Sequence, residues 1–152
     1  MIFNFSGKPL PPDLWCLDTE NSTWSTVECH GTPPSGRNFH SMVFYDNSLY
    51  LFGGKSHAYQ NDLYQFNLAS HTWTKLCIDR KHRPSKRYGH TAVVLNDNMY
   101  ILGGNKHKKT LIIFIGYDEF GEKNNEIYQY NFESDEWKRI VPTSGVVPGI
   151  IL

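Results

Sequence analysis

One constellation in this chain carries side chains able to do chemistry, and it occurs twice. Arg37 and His40 form an Arg-x-x-His pair that returns as Arg87 and His90, 50 residues further on. A guanidinium presents a fork of donors that suits carboxylate or phosphate, and an imidazole beside it can carry a proton or bind a metal. One such pair alone would suggest an anion or metal site. The recurrence changes that reading, because a site usually needs a given group once, whereas a residue that returns at one phase of a repeat serves the repeat. Arg37, His40, Arg87 and His90 are therefore read as structural, with their polar atoms hydrogen-bonded locally, and the acidic residues Asp13, Asp62 and Glu126 are read the same way.

The remaining reactive groups point to no active site. Cys16, Cys29 and Cys77 are odd in number and lack CxxC spacing, which argues against a disulfide framework and against zinc. His30, His57, His71, His82 and His107 fall in loop or turn segments without ligand spacing. HExxH, GxSxG and a phosphate-binding glycine loop are all missing from the sequence,. No metal and no cofactor are expected.

The elements that hold these residues follow from a longer repeat. "PSGRNFHSMVFYDNSLYLFGG" from Pro34 aligns without a gap to "PSKRYGHTAVVLNDNMYILGG" from Pro84, so Gly53 and Gly54 return as Gly103 and Gly104. Downstream, "DLYQFNLASHTWTKL" from Asp62 matches "DLWCLDTENSTWSTV" from Asp13 and "EIYQYNFESDEWKRI" from Glu126. In each copy a tryptophan, Trp24, Trp73 or Trp137, stands eleven residues after the acid. Two β-rich runs joined by Asp46-Asn47, and two more joined by Asn96-Asp97, predict hairpins. The alternation in "DLYQFN" predicts a further strand. The glycine pairs are explained by close backbone approach near an axis or by a positive φ that a Cβ would penalise.

These phased signals resemble the kelch repeat, with its Arg-x-x-His or Arg-x-Gly-His start, a strand ending in Gly-Gly, a third strand carrying Tyr or Trp, and a fourth that follows a Trp. The resemblance covers most of the chain. It implies an all-β fold of kelch-type β-propeller blades, each a four-stranded antiparallel sheet, with Trp24, Trp73 and Trp137, and the aromatic positions Trp15, Tyr64 and Tyr128, packed between blades. The chain reads as a single kelch-repeat domain over 1–152: a partial blade 2–27, a blade 34–76, a blade 84–140 with an inserted loop 105–125, and a truncated tail 141–152. Propellers close with about four to eight blades, so about three form an incomplete arc. Such an arc is expected to be a piece of a longer propeller. The alternative is a homodimer that completes a six-bladed ring.

Fifteen basic and fifteen acidic residues cancel, which disfavours a whole-chain attraction to nucleic acid or to an anionic membrane. "LIIFIG" at 111–116 is far shorter than the ~20 residues of a membrane span. A cytoplasmic protein, with the nucleus as an alternative, is expected.

Function is expected where the copies differ, in the loops that leave one end of the sheets. The resemblance implies protein–protein interaction through such a face, as in ubiquitin-ligase substrate adaptors, small-GTPase effectors and cytoskeletal regulators. The partner-binding candidates are Lys55, His57, Tyr59, Arg80, Lys81, Arg83, Lys106, His107, Lys108 and Lys109, a basic rim suited to an acidic or phosphorylated segment of a protein. The apolar run "TLIIFIG" in the inserted loop reads as an added strand, a docking segment or the trace of an unspliced insertion. The enzyme alternative is a fragment of a kelch-fold metal-dependent oxidase or sugar-processing enzyme. The Cys, Tyr and His set of a galactose-oxidase-like copper site does not map onto this chain, and the iron pattern of plant specifier proteins is absent.

Overall fold

The computed structural model describes residues 13–77, 83–104, 116–117, 123–124 and 127–141, and every regular element among them is a strand. β1 (Trp15–Asp18) and β2 (Thr23–Thr26) pair antiparallel. β4 (Ser41–Tyr45), β5 (Ser48–Phe52), β6 (Leu63–Asn67) and β7 (Thr72–Leu76) form an antiparallel meander, and β3 (His30–Gly31) joins its outer edge to give the order β3-β7-β6-β5-β4. β8 (Thr91–Leu95), β9 (Asn98–Leu102), β12 (Ile127–Asn131) and β13 (Glu136–Ile140) repeat the meander in the order β13-β12-β9-β8. Within the 105–125 segment, β10 (Gly116–Tyr117) pairs with β11 (Lys123–Asn124). The run "TLIIFIG" lies outside the described residues apart from Gly116.

Turn chemistry explains the hairpins. Asp46 and Asn47 both have positive φ, 41° and 54°, the left-handed pair whose twist matches the strands it joins, and Asn and Asp tolerate that conformation best. Asn96 does the same at 52°. The glycine pairs need the left-handed region too: Gly53 and Gly103 have φ of 62° and 63°, Gly54 and Gly104 of 95° and 94°. A Cβ on Gly54 would stand 2.8 Å from the Asn38 carbonyl oxygen, and one on Gly104 2.8 Å from the His90 Cβ. Positive φ and close approach therefore act together, and only glycine meets both.

Period-two alternation gives each meander two apolar faces. Tyr50, Phe52 and Leu63 of the β4–β7 sheet pack against Met99, Ile101, Tyr128, Tyr130 and Trp137 of the β8–β13 sheet. The opposite face of the β4–β7 sheet, Leu51, Tyr64, Phe66 and Trp73, packs against Leu14, Val27 and Cys29. The two sheets meet along β4 and β8. The result is a pair of stacked blades with a third, two-stranded piece beside them.

Two features depart from a uniform set of four-stranded blades. β3 is a fifth strand, and it runs parallel to β7, with His30 N–H donating to the His71 carbonyl at 2.8 Å and Thr32 N–H to that of Trp73 at 2.9 Å. The connection that follows β2 thus covers the outer edge of the next blade and satisfies backbone groups that the edge would leave open. The tryptophans also differ. Trp73 and Trp137 are each 4% exposed, whereas Trp24 is 64% exposed and Trp15 48%. Trp137 meets Phe52 of the preceding blade at 5.3 Å between ring centroids, while among the described residues no sheet precedes β1 and β2 to cover Trp24.

Candidate functional site on the loop face

The Arg pair is used up by the fold, whereas Nδ1 of His40 and of His90 is buried with no hydrogen-bond partner among the described residues, a departure from the expected local bonding. Arg37 Nη1 donates to the Gly53 carbonyl at 3.0 Å and to Asp62 Oδ1 at 2.5 Å, Nη2 reaches Asp62 Oδ2 at 3.3 Å, and Nε donates to the Ser35 carbonyl at 3.0 Å. Its guanidinium lies 5.4 Å from the Tyr64 ring centroid. Arg87 repeats the pattern, with Nη1 to the Gly103 carbonyl at 2.7 Å, Nε to the Ser85 carbonyl at 3.2 Å, and the Tyr128 ring at 5.1 Å. Each arginine therefore ties the glycine pair to the start of its own blade. Arg37 is 7% exposed and Arg87 fully buried, so neither fork is offered to a ligand.

His90 acts across the seam. His90 Nε2 is 2.7 Å from Ser41 Oγ of the preceding blade, and its ring meets Phe52 edge-on. Burial, then Arg87, pulls the His90 pKa down to about 3; burial, then Arg37, lowers that of His40. Both are held as neutral imidazoles near neutral pH. Among the described residues no group of three or more His, Cys, Asp or Glu is gathered.

The basic candidates divide. Arg80, Lys81, Lys106, His107, Lys108 and Lys109 lie outside the described residues. Lys55 and His57 are exposed, and Tyr59 and Arg83 are half-buried. All four sit at the end of the sheets where β5 ends, β6 begins and the connection into β8 arrives. The loop after β5 is braced: Lys55 and Asn38 exchange both backbone hydrogen bonds, at 2.8 and 2.9 Å, and Gln60 N–H donates to the Gly54 carbonyl at 2.9 Å. Gln60 Nε2 donates to Ser56 Oγ at 3.1 Å. The next blade is tied in by Arg87 N–H to the Gln60 carbonyl at 2.9 Å and by Asn61 Nδ2 to that of Pro84 at 2.9 Å. A cleft of about 430 Å³ opens beside this loop, with Asp62, Lys75 and Arg83 in its wall.

Two residues that the repeat signals passed over complete the site. Tyr59 and Tyr88 stack with centroids 5.1 Å apart and planes 9° from parallel, and Phe39 meets Tyr88 at 5.7 Å. Lys55 Nζ stands 5.5 Å from the Tyr59 centroid and 5.9 Å from that of Tyr88. Burial, then Tyr59, raises the Tyr88 pKa, which keeps the phenol neutral. The signal for Phe39 was available in the alignment: it occupies the position that Gly89 fills in the next copy.

Outside the loop face, further apolar side chains are exposed among the described residues. Val93, Leu95 and Leu102 are exposed, yet they stand in the register of Val43, Tyr45 and Phe52, which the next blade covers. Trp15, Leu17 and Trp24 are exposed as well, in the register of the covered Tyr64, Phe66 and Trp73.

The KLHDC2/KLHL20/DRC7 Kelch-repeats domain matches residues 4–104, and the Kelch motif matches residues 86–144. The chain belongs to the kelch-repeat family. It is 32% identical over 150 residues to leucine-zipper-like transcriptional regulator 1 of Homo sapiens, covering 92% of this chain and 16% of that protein. With Kelch domain-containing protein 3 of Bos taurus it shares 28% identity over 142 residues, 86% of this chain and 34% of that one. Host cell factor of Drosophila melanogaster is 31% identical over 97 residues, 53% of this chain and 6% of that protein. This kelch chain therefore spans about a third or less of the length of these relatives, and its similarity to them supports a protein-interaction module.

Proposed function

We propose that this kelch chain is a non-enzymatic interaction module, an adaptor or scaffold piece whose loop face receives an acidic or phosphorylated segment of a protein, rather than nucleic acid or a membrane. The observation that carries the reading is the contrast between two sets of cations. Arg37 and Arg87 are sequestered by the blades, whereas Lys55 is exposed on a braced loop and Arg83 is half-buried in the wall of the cleft beside Gln60 and Asn61. A cation on a rigid rim attracts an anionic partner and fixes where it docks. None of the relatives named above carries an enzyme's name, which favours binding over a metal-dependent oxidase or a sugar-processing enzyme. Roles as ubiquitin-ligase substrate adaptor, small-GTPase effector or cytoskeletal regulator belong to this proposal, and a cytoplasmic or nuclear setting is supported by the free thiols of Cys16, Cys29 and Cys77,.

Affinity capture with the parent chain and with an Arg80→Glu, Lys81→Glu, Arg83→Glu variant tests the reading. Partners held by the parent and lost by the variant are expected; equal capture by both would remove the basic rim. The bare flanks call for a further kelch-type blade face. Sedimentation at micromolar concentration separates its two sources, since a second copy of this chain closing a six-bladed ring gives a compact dimer and blades of a longer chain leave this piece monomeric.

A further inference from the structure

Seven non-glycine residues have positive φ among the described residues. Six of them, Ser22, Asp46, Asn47, His71, Asn96 and Asp135, are polar or imidazole side chains in the turns of hairpins. The seventh is Phe39, at φ 57°. A bulky aromatic residue in the left-handed region is an outlier that persists only when its surroundings over-determine it. Here they do. Asn38 is locked to Lys55 by two backbone hydrogen bonds, and the Phe39 carbonyl accepts from Gly89 N–H at 2.9 Å.

The next copy shows what the fold alone requires at that position. Gly89 has φ 64°, and a Cβ placed on it would meet nothing within 4 Å. The fold therefore needs no side chain at this phase of the repeat, whereas the half-buried phenyl ring of Phe39 strains its backbone. That ring instead joins Tyr88 and Tyr59 in one aromatic ledge, with Lys55 over two of the faces. Because the ammonium of Lys55 already occupies the electron-rich sides of the tyrosines, a cationic ligand is repelled and a carboxylate is drawn in.

We propose that Phe39, Tyr59, Tyr88 and Lys55 form the recognition site itself, and that it takes an acidic segment in which a carboxylate side chain neighbours an aromatic one. The carboxylate meets Lys55 and the ring packs on Phe39. This rests on the reading of the loop face as the binding face, and the experiment separates the two.

Fluorescence anisotropy of the full chain is measured with three labelled ten-residue peptides: alternating Glu and Tyr, alternating Glu and Ser, and alternating Lys and Tyr. The Glu-Tyr peptide is expected to bind about tenfold or more tighter than the Glu-Ser peptide, and the Lys-Tyr peptide not at all. Phe39→Gly and Lys55→Glu should each weaken the Glu-Tyr peptide about tenfold, while Lys138→Glu, on the exposed outer strand, leaves it unchanged. Phe39→Gly should also keep the parent Tm or raise it, because it relieves the backbone. A marked fall in that Tm would make Phe39 a packing residue and overturn its role. If Arg83→Glu abolishes Glu-Tyr binding while Phe39→Gly and Lys55→Glu bind like the parent, the ledge is refuted and the loop face stands. Absence of binding by all three peptides at about 1 mM overturns both.

Discussion

His90 Nε2 and Ser41 Oγ lie 2.7 Å apart across the seam between the second and third blades. The pair resembles the nucleophile and base of a hydrolase in composition only. His90 is buried against Phe52 of the preceding blade, and its partner hydroxyl belongs to β4 of that blade. The bond fastens two blades together.

That burial makes stability depend on pH. His90 has its pKa lowered to about 3, chiefly by burial, against about 6.5 for an unfolded histidine. The unfolded chain binds the extra proton throughout that window, so stability is complete above pH 6.5 and falls as pH drops toward 3. Between pH 7 and pH 4 the expected loss is on the order of 3 kcal/mol, read from urea midpoints. His90→Gln, which keeps a polar partner for Ser41 without titrating, should flatten the profile. His40, lowered for the same reason, leaves a residual slope of the same sign.

Gly54→Ala and Gly104→Ala should each destabilise by about 2–4 kcal/mol, since the added methyl combines left-handed strain with a clash. Gly89→Ala meets no neighbour and should cost only the conformational part, about 1–2 kcal/mol. Chemical denaturation of the three variants checks the order.

Arg37→Met leaves Asp62 without the partner that Nη1 and Nη2 provide. With the arginine side chain 3% and the aspartate side chain 12% exposed, a loss of about 3–5 kcal/mol is expected. It should change little between low and high salt, because a buried pair is weakly screened. Unfolding curves at two salt concentrations read both quantities.

The three tryptophans should separate. Trp73→Ala and Trp137→Ala each empty a filled seam and should cost about 3–5 kcal/mol. Trp24→Ala, at a side chain 64% exposed, should cost under about 1 kcal/mol. Equal losses at all three would mean that Trp24 is covered in solution.

How much of this was legible beforehand depends on how local each signal is. The strands, the hairpin turns at Asp46-Asn47 and Asn96-Asp97, and the glycine pairs follow from propensity, period and backbone sterics, all of which act over a few residues. Repetition added the blade, because residues that return in phase at 37 and 87, or at 73 and 137, must sit in like surroundings when their neighbours are alike. The same logic misjudged Trp24, whose neighbours are not alike, and missed β3, whose pairing with β7 spans 42 residues in sequence and leaves no period to read.

Sequence by itself determined the all-β repeat, and its recurrence led Arg37, His40, Arg87 and His90 to be read as structural. Tertiary structure alone decided which side chains share the loop face: Lys55, Tyr59 and Tyr88 are brought together because Arg87 N–H donates to the Gln60 carbonyl and Gly89 N–H to the Phe39 carbonyl. The physical reason is that a strand's alternation encodes which face a side chain takes within its own sheet. Where two sheets abut is set by volume, aromatic packing and hydrogen bonds between distant segments, which no local pattern carries.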